Sequence, residues 1–202
     1  IVSITKGENF MNKKGEENRS VRNTRRKLRE ALIAKMKEKP ISEITAKELA
    51  ETVDISRGTF YLHYDDVFDL LKKTEENFFD EFDRVLNSEE AKLDRAFEHL
   101  TAIFAFIGEN ADLCRVMLGA NGDISFVLRI QKHIDDKCSS MWKQCATPKD
   151  NTLVDREREE LYNAFIIYGC MGIVRKWIEG GLKDPPEKIS ALAASIITST
   201  LP

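Results

Sequence analysis

From Leu28 to Ile196 the large apolar residues recur at intervals of three and four, and no sustained alternation of apolar with polar residues interrupts them. Such intervals return side chains to one face of an α-helix, whereas a half-buried strand needs a period of two. The chain is therefore expected to be all-α, with about nine helices. Leu28, Ala31, Leu32 and Met36 line a first helix over residues 22–37. Leu71, Phe78, Phe82 and Val85 line a long one starting near Val67. Further stripes are Leu93, Phe97, Leu100, Phe104 and Ile107; then Val127, Ile130, Ile134, Cys138, Met141 and Cys145; and last Ile189, Leu192, Ala193 and Ile196. A short helix fits between residues 110 and 118, a turn at 119–123 and a polar loop at 146–153.

Stop and start signals agree with these stripes. Pro40 ends the first helix. Thr45 is placed to cap a second, with Glu48 as its capping-box partner, over residues 45–52. Asp54 and Ile55 make a tight turn, and Ser56 caps a third helix over 56–63. The helix from about 155 to 179 carries two apolar stripes: Leu161, Phe165, Tyr168 and Gly172, then Ile167, Cys170, Val174, Trp177 and Ile178. Two apolar sides require two packing surfaces, one of them available to a second subunit. Gly180 and Gly181 end that helix, and Asp184, Pro185 and Glu187 open the next.

The net charge of −3 conceals an asymmetry. Residues 1–64 hold 14 Lys and Arg against 9 Asp and Glu, and residues 65–202 hold 17 against 25. A basic head on an acidic body suits a chain in which only the head meets a polyanion. No apolar run approaches the roughly 20 residues of a membrane span, so no membrane partner is expected. The four cysteines lie far apart, as small hydrophobes in a reducing, cytoplasmic setting would. Residues 1–18, with Met11 as a possible start, are expected to be a flexible arm or added sequence. Residues 19–66 are then expected to form the basic head and 67–202 the acidic body.

Residues 45–64, Thr-Ala-Lys-Glu-Leu-Ala-Glu-Thr-Val-Asp-Ile-Ser-Arg-Gly-Thr-Phe-Tyr-Leu-His-Tyr, place two short helices around a tight turn. The second opens with small polar and basic residues, the arrangement of a helix-turn-helix that sets its second helix into a major groove. Arg57 and Thr59 are candidates for base edges, since the arginine fork matches guanine O6 and N7. Ser56 and Gly58 belong to the same docking end. Tyr61 and His63 are candidates for phosphates, as are Thr45 and Lys47 at the first turn of the preceding helix. Phe60, Leu62 and Tyr64 are assigned to packing.

Residues 22–71 resemble the DNA-binding domain of the TetR family of bacterial transcriptional regulators. The likeness rests on the basic first helix, on Ile44-Thr-Ala-Lys-Glu-Leu-Ala50 and on Ser56-Arg-Gly-Thr-Phe-Tyr-Leu-His-Tyr64. Val67 stands where that family usually has a lysine. Residues 168–187 are similar to a C-terminal domain of such regulators from low-GC Gram-positive bacteria. The resemblance implies a homodimer joined by its last two long helices, a palindromic double-stranded operator, a small-molecule effector held in the helical body and a repressor's role. Ile167, Cys170, Val174, Trp177, Ile189, Leu192 and Ile196 are candidates for the dimer face. Phe104, Met117, Phe126, Trp142, Phe165, Tyr168 and Met171 are polarizable or aromatic candidates for the effector pocket.

Enzyme chemistry has no visible apparatus: His63, His99 and His133 are dispersed, and neither a zinc-protease, a nucleophile-elbow nor a Walker sequence occurs. No cofactor and no metal site are expected. The competing readings are a helical protein-interaction module and a transcriptional activator, each with a degenerate helix-turn-helix.

Overall fold

The computed structural model describes residues 19–88, 96–119, 122–145 and 153–200. Among them the chain forms nine α-helices, a 3-10 turn at Ile41–Glu43 and no strand, an all-α fold. The helices are α1 (Arg19–Met36), α2 (Ala46–Thr52), α3 (Arg57–His63), α4 (Val67–Leu86), α5 (Ala96–Glu109), α6 (Ala111–Met117), α7 (Ile124–Cys145), α8 (Leu153–Glu179) and α9 (Pro186–Thr200). The arm expected over 1–18 lies outside the described residues, as does the loop expected over 146–153 except for Leu153, which begins α8. No helix among the described residues is long and apolar enough to cross a membrane. The chain divides into two compact units, Ile1–Asn77 and Phe78–Pro202, with the boundary inside α4.

In the first unit the apolar stripe of α1 is buried at Val21, Leu28, Ala31, Leu32 and Met36, and α1 packs on α2. Leu49 and Ala50 of α2 and Phe60 of α3 complete that core. Thr45 caps α2 by accepting a hydrogen bond from the Glu48 N–H at 3.2 Å. The reciprocal half of the expected capping box is replaced. The Glu48 carboxylate turns to Lys39 at 2.8 Å and Lys35 at 3.6 Å, tying α1's C-terminal side to α2. The hydrogen bond from Lys39 holds the Glu48 carboxyl below the usual carboxylate range. Its stabilising contribution is thus present above the unfolded-state pKa and is lost as pH falls through the folded value.

The turn between α2 and α3 is closed by Ile55 N–H donating to the Ala50 carbonyl at 3.0 Å, with Asp54 at φ 56°. Asp tolerates that left-handed conformation better than most residues with a Cβ. Ser56 then caps α3 by accepting from the Thr59 N–H at 3.0 Å. Thr45→Ala and Ser56→Ala should each cost about 1 kcal/mol, measured as a lower denaturation midpoint of the full chain by circular dichroism.

The second unit is built on phenylalanine. Phe78, Phe79 and Phe82 of α4 meet Phe106 of α5 and Phe126 of α7, with ring centroids 5.1–5.8 Å apart between helices. Polar rungs continue the α4 to α7 contact. Arg129 lies 4.0 Å over the Phe79 ring, His133 Nδ1 is 2.6 Å from Asp83, and Lys137 donates to Asn87 at 3.3 Å. Thr101 of α5 and the fully buried Ser190 of α9 share a hydrogen bond at 2.7 Å.

The C-terminus of α8 is closed in the expected way. Gly181 adopts φ 82°, and Leu182 N–H reaches back to the Trp177 carbonyl at 3.0 Å, a Schellman closure. Arg115 of α6 donates to the Ile178 carbonyl at 3.1 Å. Asp184 does not open α9 as expected. Its carboxylate takes Lys188 at 2.6 Å, and α9 begins one residue later than expected, at Pro186, on the Pro185 carbonyl.

Candidate functional site

A seven-residue helix has room for one inner and one outer face. On α3 the inner face takes Phe60 and His63, and Tyr64 follows them inward. The outer face is left with Arg57, Gly58, Tyr61 and Leu62, all exposed. These four lie at successive and i, i+4 positions, so they form one continuous surface on the helix. Tyr61 is 40% exposed and its ring stands edge-on to Phe60 at 5.5 Å, which fixes the phenol's direction. Nothing but the Ser56 Oγ, at 3.6 Å, would meet a Cβ added to Gly58. Packing therefore does not demand a glycine there. A side chain is missing from the surface itself, where a backbone can be approached closely.

Two assignments change. His63 is only 8% exposed, turned to the inside of the unit with Tyr64, so its side chain is not presented for a phosphate. Leu62, assigned to packing, is 52% exposed and joins the outer face. Position within the helical turn decides both, because 58 and 62 share a side that 60 and 63 do not. An apolar residue on a polar-flanked face was the signal available. Thr59 is half-buried, and its hydroxyl is tied to Ser56 at 2.9 Å. Thr45 and Lys47 are exposed at the start of α2, with Lys47 3.8 Å from Glu51. Val67 is buried and contributes to the core of its unit.

In the second unit the two stripes of α8 take opposite roles to those expected. Ile167, Val174, Trp177 and Ile178 face inward. The Trp177 ring lies beside Phe104 at 6.0 Å, and a Cβ on Gly108 would come within 3.1 Å of it. Its indole N–H donates to the Asp184 carbonyl at 2.8 Å. An indole with its N–H satisfied and its rings covered is a core residue, so Trp177, with Ile167, Val174 and Ile189, is withdrawn from the candidate dimer face. Cys170 is half-buried.

The outward stripe of α8 is Leu161, Phe165, Tyr168 and Gly172, with Phe165 58% and Tyr168 62% exposed. Leu192 and Ile196 of α9 are likewise exposed. An open groove of about 880 Å³ runs along the two helices, lined in part by Gly169, Gly172, Ile173 and Leu192.

The effector-pocket candidates do not converge. Phe104, Met117 and Phe126 are fully buried in packed core, Met171 is half-buried, and Phe165 and Tyr168 point outward. Trp142 lies on α7, with its side chain outside the described residues. No group of three or more His, Cys, Asp or Glu among the described residues is placed to hold a metal ion.

Comparison with known proteins places this geometry. The TetR-type family described as the transcriptional regulator C-terminal region matches residues 94–199. The chain is 29% identical over 96 residues to the uncharacterized HTH-type transcriptional regulator YxbF of Bacillus subtilis (strain 168). That match covers 45% of this chain and spans a quarter of the relative's length. It is 25% identical over 142 residues to the nucleoid occlusion factor SlmA of Alteromonas mediterranea, covering 68% of this chain and 70% of that protein. In fold it is similar to the transcriptional regulator FadR of Bacillus subtilis, solved in complex with stearoyl-CoA. The TM-score is 0.61 at 15% identity, over 88% of this chain and 99% of that one.

Proposed function

The chain belongs to the TetR-type transcriptional regulators, and from that premise we propose that it is a homodimeric repressor that binds a palindromic operator and releases it on taking up a small-molecule effector. The observation that carries this reading is the outer face of α3. Arg57 supplies a fork for guanine, Gly58 admits the helix backbone to the groove, Leu62 offers an apolar surface to a thymine methyl, and Tyr61 reaches a phosphate. Thr45 and Lys47 sit at the start of the preceding helix, in position for the neighbouring strand. Ser56 and Thr59 act by holding the first turn of α3 rather than by contacting bases.

Two copies of α3 are needed to read a palindrome, and the second copy comes from dimerisation through the outward face of α8 and α9. Leu161, Phe165, Tyr168 and Leu192 form its apolar part, and the adjoining glycines let a partner helix come close. Proteins that stay monomeric rarely leave a contiguous apolar stripe of this kind in water. FadR, similar in fold, was solved with stearoyl-CoA, which favours an effector with a long apolar part, entering the body between its helices. Regulation then follows from unequal binding of the effector to two arrangements of the body. The protein acts in the cytoplasm and carries out no catalysis.

The test is selection of binding sites from random duplex DNA with the full chain at physiological salt. Enrichment of a two-fold symmetric sequence with half-sites about one helical turn apart or wider supports the reading. Recovery of no preferred sequence overturns it.

A further inference from the structure

We infer, resting on the effector reading, that Gln131 of α7 anchors the effector by donating to a neutral carbonyl oxygen on an otherwise apolar molecule. Gln131 is 9% exposed, and its side-chain Nε2 is buried with no hydrogen-bond partner among the described residues. It interrupts an apolar stripe, four residues after Val127 and three before Ile134.

The position of the amide gives a guest somewhere to lie. α7 turns one side to α4 through Phe126, Arg129, His133 and Lys137. At about 100° per residue, Gln131, two positions before His133, points to nearly the opposite side of the helix. Its neighbours on that side, Val127 and Ile134, are half-buried, in contrast to the fully buried Phe126. A closed core would cover them as it covers Phe126. Apolar surface is thus left open beside a buried amide.

Hydrogen bonding and charge then fix the chemistry of the guest. A buried donor left without an acceptor carries its full desolvation penalty, whereas a methionine or leucine of similar size carries none. The penalty is recovered when a ligand brings an oxygen to that nitrogen. No lysine or arginine is buried among the described residues. A carboxylate brought to Gln131 would therefore lack the partner that a buried anion needs. The carbonyl of a ketone, ester, thioester or amide accepts the same hydrogen bond without a charge, and its apolar tail covers Val127 and Ile134.

The probe is ethyl decanoate, with decanoate as its charged counterpart, each measured against the full chain by equilibrium dialysis near neutral pH. The ester should bind the unaltered chain at least roughly tenfold more tightly than decanoate. Gln131→Met should weaken the ester about tenfold, the loss of one buried hydrogen bond. The same change should leave the thermal midpoint of the ligand-free chain unchanged or higher, because no internal hydrogen bond is lost. Gln131→Leu is run beside it, so that a misfit peculiar to one side chain is told from the loss of a hydrogen bond, which both variants share. A lower midpoint in both variants means that the amide is already partnered in the free chain, and it overturns the inference. So do equal binding of ester and decanoate, ester affinity indifferent to both variants, or no ester binding up to its solubility. Operator selection is carried out without ligand, which keeps the two readings apart. A chain that selects a palindrome but ignores the ester refutes the anchor and leaves the operator reading standing. A chain that binds the ester through Gln131 but prefers no duplex keeps the anchor, and it is the regulator reading that fails.

Discussion

Phe165→Glu combined with Tyr168→Glu is expected to convert a dimer into a monomer and to abolish operator binding at nanomolar concentrations while leaving the helical fold intact. Both rings stand on the outward side of α8, 58% and 62% exposed, so carboxylates there are solvated in the isolated chain and break no internal packing. At an interface the balance reverses. Burying an aromatic or large aliphatic side chain contributes about 1.5–3 kcal/mol, and the two-fold relation repeats each loss. The four lost rings, together with the cost of burying like charges, should weaken association by at least three orders of magnitude. Sedimentation equilibrium measures the association, and circular dichroism the fold. Trp177→Phe is the contrasting variant. It removes the hydrogen bond to Asp184 inside the subunit and should lower stability while preserving the dimer. Retention of a tight dimer by the double glutamate variant would assign the contact to another surface.

Arg57→Ala with Tyr61→Ala should reduce affinity for a selected operator by about 100-fold or more and weaken salt-dependent binding to any duplex far less. A bidentate base contact is worth about 1–3 kcal/mol, and a palindrome counts it twice. Neither side chain supports the core. Arg57 is exposed, and Tyr61 touches Phe60 only at its edge. The expected signature is therefore a collapse in the ratio of specific to non-specific affinity, with dimerisation unchanged by sedimentation. Operator affinity within twofold of the unaltered chain would sink the assignment of α3 as the reading helix, leaving a protein-interaction module as the better account.

The head was legible because its signals are local. Thr45 and Ser56 announce α2 and α3 through hydrogen bonds to N–H groups three residues on, and Asp54 marks the turn, so helix starts fall within one residue of expectation. The faces of α3 were harder to read, because in seven residues Leu62 and His63 differ by only 100° of rotation, and burial is settled by what packs behind Phe60. The body failed at a different level. Both stripes of α8 are apolar, so their pattern does not show which of them the chain's own helices cover. The choice is made by distant residues. Gly108 of α5 leaves room for the Trp177 ring, and the turn after α8 brings the Asp184 carbonyl under its N–H. No spacing within 155–179 encodes either event. The same holds for the pocket candidates, since Phe104, Met117 and Phe126 are drawn into the body core by partners on other helices.

Cys114, on α6 and buried by the same core, has its thiol pushed up to about 12 by that burial. Only the thiolate attacks an alkylating reagent, so the group is silent while α6 stays seated and becomes reactive in whatever fraction of molecules has let it out. The chain thus contains its own stopwatch. The labelling rate at Cys114 reports how often the body breathes, and any molecule that tightens or loosens that body will change the rate before its identity is known.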